Sequence, residues 1–150
     1  MTPDDPTPAD PSVFTLIIRG DIPGRFVWRD DRVVAFLTIA PMKPGHTLVV
    51  PVEQIDQWTD VPAPIWERIA EVQMAVGQAL MAAFRPTRVG AIMAWLEVPH
   101  CHVHLVPIES ESDLSFAAAD HDPDPAALDD AAARIRAALR DAGHGVHVPD

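Results

Sequence analysis

Pro99-His100-Cys101-His102-Val103-His104-Leu105-Val106-Pro107 is the stretch on which the reading of this chain turns. Three histidines alternate with apolar residues, and a period of two puts alternate side chains on one face of a β-strand. The spacing predicts a strand over 100–107 with His100, His102 and His104 on one face and Cys101, Val103 and Leu105 on the other. Surface histidines on an edge strand are the plain structural alternative. Three imidazoles in strict alternation, bounded by prolines, suit neither a packed core nor an ordinary solvated face. Each titrates near neutrality, so the row can ligate metal, bind phosphate, shuttle protons or supply a nucleophile.

Outside that stretch, size and charge set the bounds. A chain of 150 residues with 48% apolar content is one domain with a real core. The net charge of −11 opposes long-range attraction to nucleic acid, though not a small phosphorylated ligand in a local pocket. No apolar run is long enough to span a membrane. The start, Met1-Thr2-Pro3-Asp4-Asp5-Pro6, lacks the basic-then-apolar pattern of a signal segment. The single cysteine, Cys101, cannot form an internal disulfide and fits a reducing cytoplasm. Lys43 is the only lysine, and the arginine and alanine richness points to no function.

Residues 1–11, rich in Pro, Asp and Thr, read as a disordered arm. Ser12 is an N-cap for a short helix with Val13, Phe14, Ile17 and Ile18 on its apolar face and Gly20 at its end. Strands are predicted at 25–28 and 33–39, joined by a tight polar connection, then a Pro41–Gly45 loop and a central strand at 46–51. A short helix over 54–60 follows. Ile65, Ile69, Val72, Val76 and Leu80 mark a long amphipathic helix from about Pro64 to Phe84. Residues 88–95 read as a buried strand before the histidine strand, and 109–123 as an acidic loop. Asp124-Pro125 starts a C-terminal helix with Leu128, Ala132, Ile135 and Leu139 on one face, ended by Gly143. His121 is expected in solvent in its loop, and His144 and His147 in a solvated tail. The fold class is α+β: about five antiparallel strands, one long helix, a short N-terminal helix and a C-terminal helix.

Two chemistries remain for the histidine row. A metal site needs three or four converging ligands. The strand can supply imidazoles and Glu97 is nearby, but Cys101 faces away and no C-x-x-C pair exists. Phosphate chemistry gains a fourth member, His46, which opens the predicted central strand. A neutral imidazole can attack phosphorus, while its partners hydrogen-bond phosphate oxygens or protonate a leaving group.

The pattern His100-Cys101-His102-Val103-His104-Leu105-Val106, with the upstream Phe36-Leu37-Thr38-Ile39-Ala40-Pro41-Met42-Lys43-Pro44-Gly45-His46-Thr47-Leu48-Val49-Val50-Pro51, resembles the histidine triad (HIT) family. The resemblance runs collinearly from about Ser12 to Pro107. It implies a HIT domain over 12–107, with residues 108–150 attached to the same domain as an acidic loop, C-terminal helix and tail. It implies cleavage or transfer at the α-phosphorus of a nucleoside phosphate through a nucleotidyl-histidine on His102. The substrate would be a dinucleoside polyphosphate, a phosphoramidate or an adenylylated compound. His100 and His104 would orient the nucleophile and contact phosphate, and His46 would lie on the same phosphate site. The base and ribose pocket maps to Val13, Phe14, Ile17, Ile22, Phe36, Leu37, Thr38 and Ile39, which are equally ordinary core positions. The implied ligand is a purine nucleoside phosphate such as AMP, with no cofactor. The implied assembly is a homodimer through the long helix and a neighbouring strand. The face Ile65/Ile69/Val72/Val76 is compatible with that pairing and equally with packing on its own sheet.

This sequence departs from the family pattern in places. Thr38 stands where many relatives carry Asp, Val89 where they carry Asn, and Trp95-Leu96-Glu97 where they carry Gly-Gln and a small polar residue. Some bacterial relatives hold a zinc through a C-x-x-C and a later histidine. The corresponding residues here are Ser12, Thr15 and Gln54, so no metal is expected. Beside the enzyme stand two alternatives: a non-catalytic nucleotide sensor or partner-binding module on the same fold, and a metal-binding protein using the histidine strand.

Overall fold

The computed structural model describes residues 10–94 and 96–150. Most of the N-terminal arm, and Trp95, lie outside the described residues. Eight main elements follow in order: α1 (Val13–Arg19), β1 (Phe26–Arg29), β2 (Val33–Leu37), β3 (Thr47–Pro51), α2 (Ala63–Phe84), β4 (Arg88–Ile92), β5 (Val103–Ile108) and α3 (Pro125–Asp141). The strands form one antiparallel sheet in the order β1-β2-β3-β5-β4.

Alternation divides the sheet into two faces. Val33, Ala35 and Leu37 of β2, Val49 of β3 and Val103 and Leu105 of β5 pack against Ile69, Val72, Val76 and Leu80 of α2. Leu128, Ile135 and Leu139 of α3 join the same core. The register shift between Phe26 and Trp28 lets consecutive Val27 and Trp28 both enter this core. On the other face Val34, Phe36, Leu48 and Val50 pack against Phe14 of α1. It is this second face that carries the histidines.

The helix ends obey local chemistry. Ser12 caps α1 by accepting from Thr15 N at 3.0 Å, and Gly20 closes it in the left-handed region. Asp124 caps α3 ahead of Pro125, as the sequence predicts. The helix α2 begins after Pro62 and ends at Phe84, with Arg85 as its C-cap directly before Pro86.

Several expectations need correction. The 88–95 strand is shorter, Arg88–Ile92, and lies at the sheet edge with Arg88 and Ala91 exposed, because only β5 pairs with it. The helix expected over 54–60 shrinks to a 3-10 turn at Trp58–Asp60, since Gln54 is drawn to the start of α1. The histidine strand begins only at Val103. Before it, His100 N bonds to Val98 O and Cys101 N to Ile55 O, which turns the backbone off the sheet ladder. Within the loop expected over 109–123 lie two 3-10 turns, Glu111–Asp113 and Phe116–Ala118. His144 and His147 are not solvated tail residues. His147 stacks on Trp28 with ring centroids 4.6 Å apart and His144 lies at 5.3 Å, both half-buried, because the indole offers an apolar face beside α3. The Ile65/Ile69/Val72/Val76 face packs on this chain's own core, so it is not left for a partner.

Candidate active site

His46 sits at the start of β3 because the preceding loop reverses tightly. His46 N bonds to Lys43 O, and Gly45 has φ +92°, where a Cβ would fall 2.8 Å from Phe84 Cε2. β3 and β5 are neighbours, with Leu48 opposite His104. This pairing carries His46 to within 2.9 Å of His104, ring nitrogen to ring nitrogen. All four histidines are buried: His100 is 0% exposed, His46 2%, His102 6% and His104 8%.

Their hydrogen bonds fix the tautomers, because a carbonyl can only accept and a backbone N–H can only donate. Met42 N–H donates to His46 Nδ1 at 3.0 Å, so the His46 proton is on Nε2. That proton is donated to His104 Nδ1, which leaves the His104 proton on Nε2. His102 Nδ1–H donates to the carbonyl of His100 at 2.8 Å, so its lone pair is on Nε2. His100 Nε2–H donates to Pro51 O at 2.7 Å, and His100 Nδ1 accepts from Ser12 Oγ at 2.7 Å.

Electrostatics agree with this neutral wiring. Burial, and next the neighbouring His102, lower His46 to about 4. Burial, then His102 and His46, lower His104 to about 3. Burial also lowers His102 below its ordinary value, against the opposing effect of the His100 carbonyl. His100 is lowered by burial too, against the Pro51 carbonyl. The site therefore carries the lone pair of His102 on Nε2 and the proton of His104 on Nε2. An extra proton on the His46–His104 pair has no place while Met42 N–H occupies His46 Nδ1. The pair offers a neutral N–H donor and is not suited to act as a charged acid.

The remaining predicted residues divide. Phe14 stands edge-on to His102 at 4.9 Å and to Phe36 at 5.5 Å, with Ile17 packed on the same cluster. Leu37 points to the opposite face, into the α2 core. Val13 is 40% exposed and Ile39 76%, and Ile22 is half-buried. Thr38 Oγ1 accepts from Ala40 N at 3.2 Å within its own turn. Leu96 is 99% exposed, and Glu97 is exposed as well. Cys101 is buried, and its thiol is pushed up to about 11 by that burial, so it is no nucleophile.

Two contributors escape sequence reasoning. One is the Met42 N–H, a backbone group with no side-chain signature. The other is Phe116, whose ring meets His104 at 5.2 Å from the far side while half exposed. Its loop is fastened by Asp120 N to Pro41 O at 2.9 Å and by Leu114, which packs so close to Gly90 that a Cβ there would lie 2.8 Å away.

Comparison with known proteins follows the same outline. The HIT domain profile matches residues 19–111. A purine nucleoside phosphoramidase of Escherichia coli K12 is 32% identical over 65% of this chain and 87% of its own. The crystal structure of a HIT-like protein from Bartonella henselae superposes with a TM-score of 0.77 at 26% identity, covering 88% of this chain and 99% of that one. A zinc-bound histidine triad protein from Mycobacterium smegmatis gives 0.75 at 28% identity, covering 89% and 96%. The residues here do not suit such a metal. Ser12, Thr15 and Gln54 offer only neutral oxygen and amide groups already bonded to one another, and among the described residues no group of three His, Cys, Asp or Glu side chains has the arrangement of a metal site. Motif, sheet order and a profile match over more than half of its length agree: the chain belongs to the histidine triad (HIT) family.

Proposed function

We propose that this protein is a nucleotide hydrolase or transferase acting at the α-phosphorus of a purine nucleoside phosphate. The substrate class is a phosphoramidate, dinucleoside polyphosphate or adenylylated small molecule. The observation that carries the reading is the tautomer of His102, whose Nδ1–H is committed to the His100 carbonyl so that Nε2 bears the lone pair. That lone pair forms the P–N bond as the bond from phosphorus to the leaving group breaks. The electron pair departs with the leaving group, which takes a proton from water. The hydroxide equivalent then attacks phosphorus, and the P–N pair returns to Nε2. His104 Nε2–H stabilises the charge that builds on the phosphoryl oxygens, and needs no reorganisation because His46 and Met42 hold it in place. Phe14, Ile17 and Phe36 line the side where the nucleoside binds. The Escherichia coli relative, by its name a purine nucleoside phosphoramidase, supports the substrate class.

The reading is tested by a single-turnover reaction with an adenosine phosphoramidate and a diadenosine polyphosphate, quenched and probed for an acid-labile AMP–protein adduct. The adduct should form in the wild type and vanish in His102→Asn, with turnover falling roughly a thousandfold or more. Unchanged turnover in His102→Asn refutes the mechanism. AMP binding with neither adduct nor AMP release favours a nucleotide sensor. The local bond that occupies Thr38 Oγ1 is the feature in favour of that second reading.

The working unit in this reading is a cytoplasmic homodimer. Ala70, Met74, Gly77 and Met81 form an exposed small-and-apolar stripe on the outer side of α2, with Met74 64% and Met81 42% exposed and open space around Gly77. β4 beside it is an edge strand. A second copy fits both features, helix on helix and edge beside edge.

A further inference from the structure

We propose that Ser12, Thr15 and Gln54 form a metal-free positioning clamp on His100 that holds the nucleophile His102 in its reactive tautomer. The proposal rests on the reading of His102 as the nucleophile. Its starting point is the disagreement noted above: the residues that correspond to a metal-holding set have come together without metal-binding chemistry.

The clamp is a closed set of hydrogen bonds. Gln54 Oε1 accepts from Ser12 N at 2.7 Å and from Thr15 Oγ1 at 2.8 Å, and Gln54 Nε2 donates to Asp10 O at 2.9 Å. Ser12 Oγ accepts from Thr15 N at 3.0 Å, and its single proton goes to His100 Nδ1 at 2.7 Å in preference to Thr15 Oγ1 at 3.3 Å, because His100 Nδ1 is the acceptor nitrogen. Thr15 Oγ1 lies 3.4 Å from the same nitrogen. At the other end of the ring, His100 Nε2–H is held by Pro51 O. The His100 ring is thus pinned at both nitrogens and fully buried. Its own carbonyl is the group that accepts from His102 Nδ1. Fixing the ring braces the His100 backbone beside the Cys101 N–H bond to Ile55 O, and the carbonyl held there decides which nitrogen of His102 keeps the lone pair.

Capping α1 does not by itself require this arrangement. An N-cap needs only an acceptor for a backbone N–H, and Asp or Asn supplies one as well as Ser. A hydroxyl caps the helix and donates to a neutral imidazole from the same atom, which a carboxylate cannot do. Thr in place of Ser preserves both roles. Asp preserves the cap but sets an acceptor against the His100 Nδ1 lone pair. Ala removes both.

The experiment compares Ser12→Thr, Ser12→Asp and Ser12→Ala with the wild type by two readouts. The first is the 15N imidazole spectrum of His100 and His102 in the full chain without ligand. The second is kcat and KM with an adenosine phosphoramidate. The wild type and Ser12→Thr should show His102 protonated on Nδ1 alone and equal kcat. Ser12→Asp should place a proton on His100 Nδ1. It should lower kcat roughly tenfold with KM within about twofold, since chemistry and not binding is disturbed. Ser12→Ala should mix the His102 tautomers. If Ser12→Asp folds with an unchanged His102 tautomer and unchanged kcat, the cluster merely fastens α1 and the clamp is overturned. A wild type without turnover refutes the enzyme reading alone, because the tautomer spectrum still decides for or against the clamp.

Discussion

Lowering the pH of the ligand-free protein from 7.5 to 5.0 should remove about 4 kcal/mol of stability through His46 and His104 alone. Both start from an ordinary value of 6.5 in the unfolded chain and fall to about 4 and about 3 on folding. Below 6.5 the unfolded state takes up a proton that the folded state refuses. The stabilisation is therefore complete above 6.5 and is lost as pH falls towards the folded values. Each pH unit costs about 1.4 kcal/mol per imidazole, so the 1.5 units from 6.5 to 5.0 cost roughly 2 kcal/mol each. Solvent screening offers little relief, since His46 is 2% and His104 8% exposed. His100 and His102 shift in the same direction and steepen the slope. Against a usual total of about 5–15 kcal/mol, the loss is large. Urea titrations at half-unit intervals should show the midpoint falling with an unchanged m value. His46→Gln removes one titrating group and should flatten the slope by about 1.4 kcal/mol per pH unit. Stability that is flat, or that rises, between pH 7.5 and 5.0 would refute the neutral, desolvated wiring on which the mechanism depends.

The other expectations test the fold and the pocket. Ile135→Ala, at a fully buried position of α3, should cost about 2–5 kcal/mol by thermal or urea denaturation, because α3 shares its core with α2 and the sheet. A cost near zero would separate the C-terminal segment from the domain. Met74→Asp, on the exposed stripe of α2, should convert a dimer to a monomer in analytical ultracentrifugation with little change in melting temperature. Phe36→Ala and Leu37→Ala should both destabilise. By calorimetric titration only Phe36→Ala should weaken AMP binding, by roughly tenfold, since the two side chains lie on opposite faces of β2.

Much of this architecture is legible in the chain because local chemistry and tertiary packing agree. Ser12 and Gly20 bound α1, Asp124 and Pro125 start α3, and the three-and-four-residue spacing from Ile65 to Leu80 writes α2. Legibility fails where a partner remote in sequence decides. Gln54 carries no mark of its bonds to Ser12 and Thr15, 42 and 39 residues away, so composition alone predicts a helix around it. The apolar run after Arg88 does not distinguish a central strand from an edge strand, because strand order is not encoded in one strand's composition. Alternation places the triad on one face but does not say where the ladder begins, and the Cys101 N bond to Ile55 O is what delays it to Val103. His147 gave no sign of Trp28, which is more than a hundred residues earlier in the chain.

The use of four histidines where arginines would bring more charge to a phosphate follows from burial. A guanidinium in these nearly solvent-free positions would need a carboxylate partner to offset its desolvation, and that carboxylate would repel the ligand. Neutral imidazoles avoid both penalties. Each offers one donor and one acceptor, so they can be chained, and a chain anchored on backbone groups at Met42, Pro51 and His100 has only one proton arrangement. That arrangement leaves an N–H on His104 Nε2 and the lone pair on His102 Nε2. In the proposed mechanism these groups are complementary to the phosphoryl oxygens and to phosphorus, and the site carries no buried charge. In that mechanism the acidic exterior, −11 overall, is no obstacle to an anionic ligand, because the contacts are N–H dipoles acting over a few ångströms. The same logic sets the lower pH limit of the site: a proton forced onto the His46–His104 pair must displace either Met42 N–H or the bond between the two rings. Catalysis and stability should therefore fail together in acid.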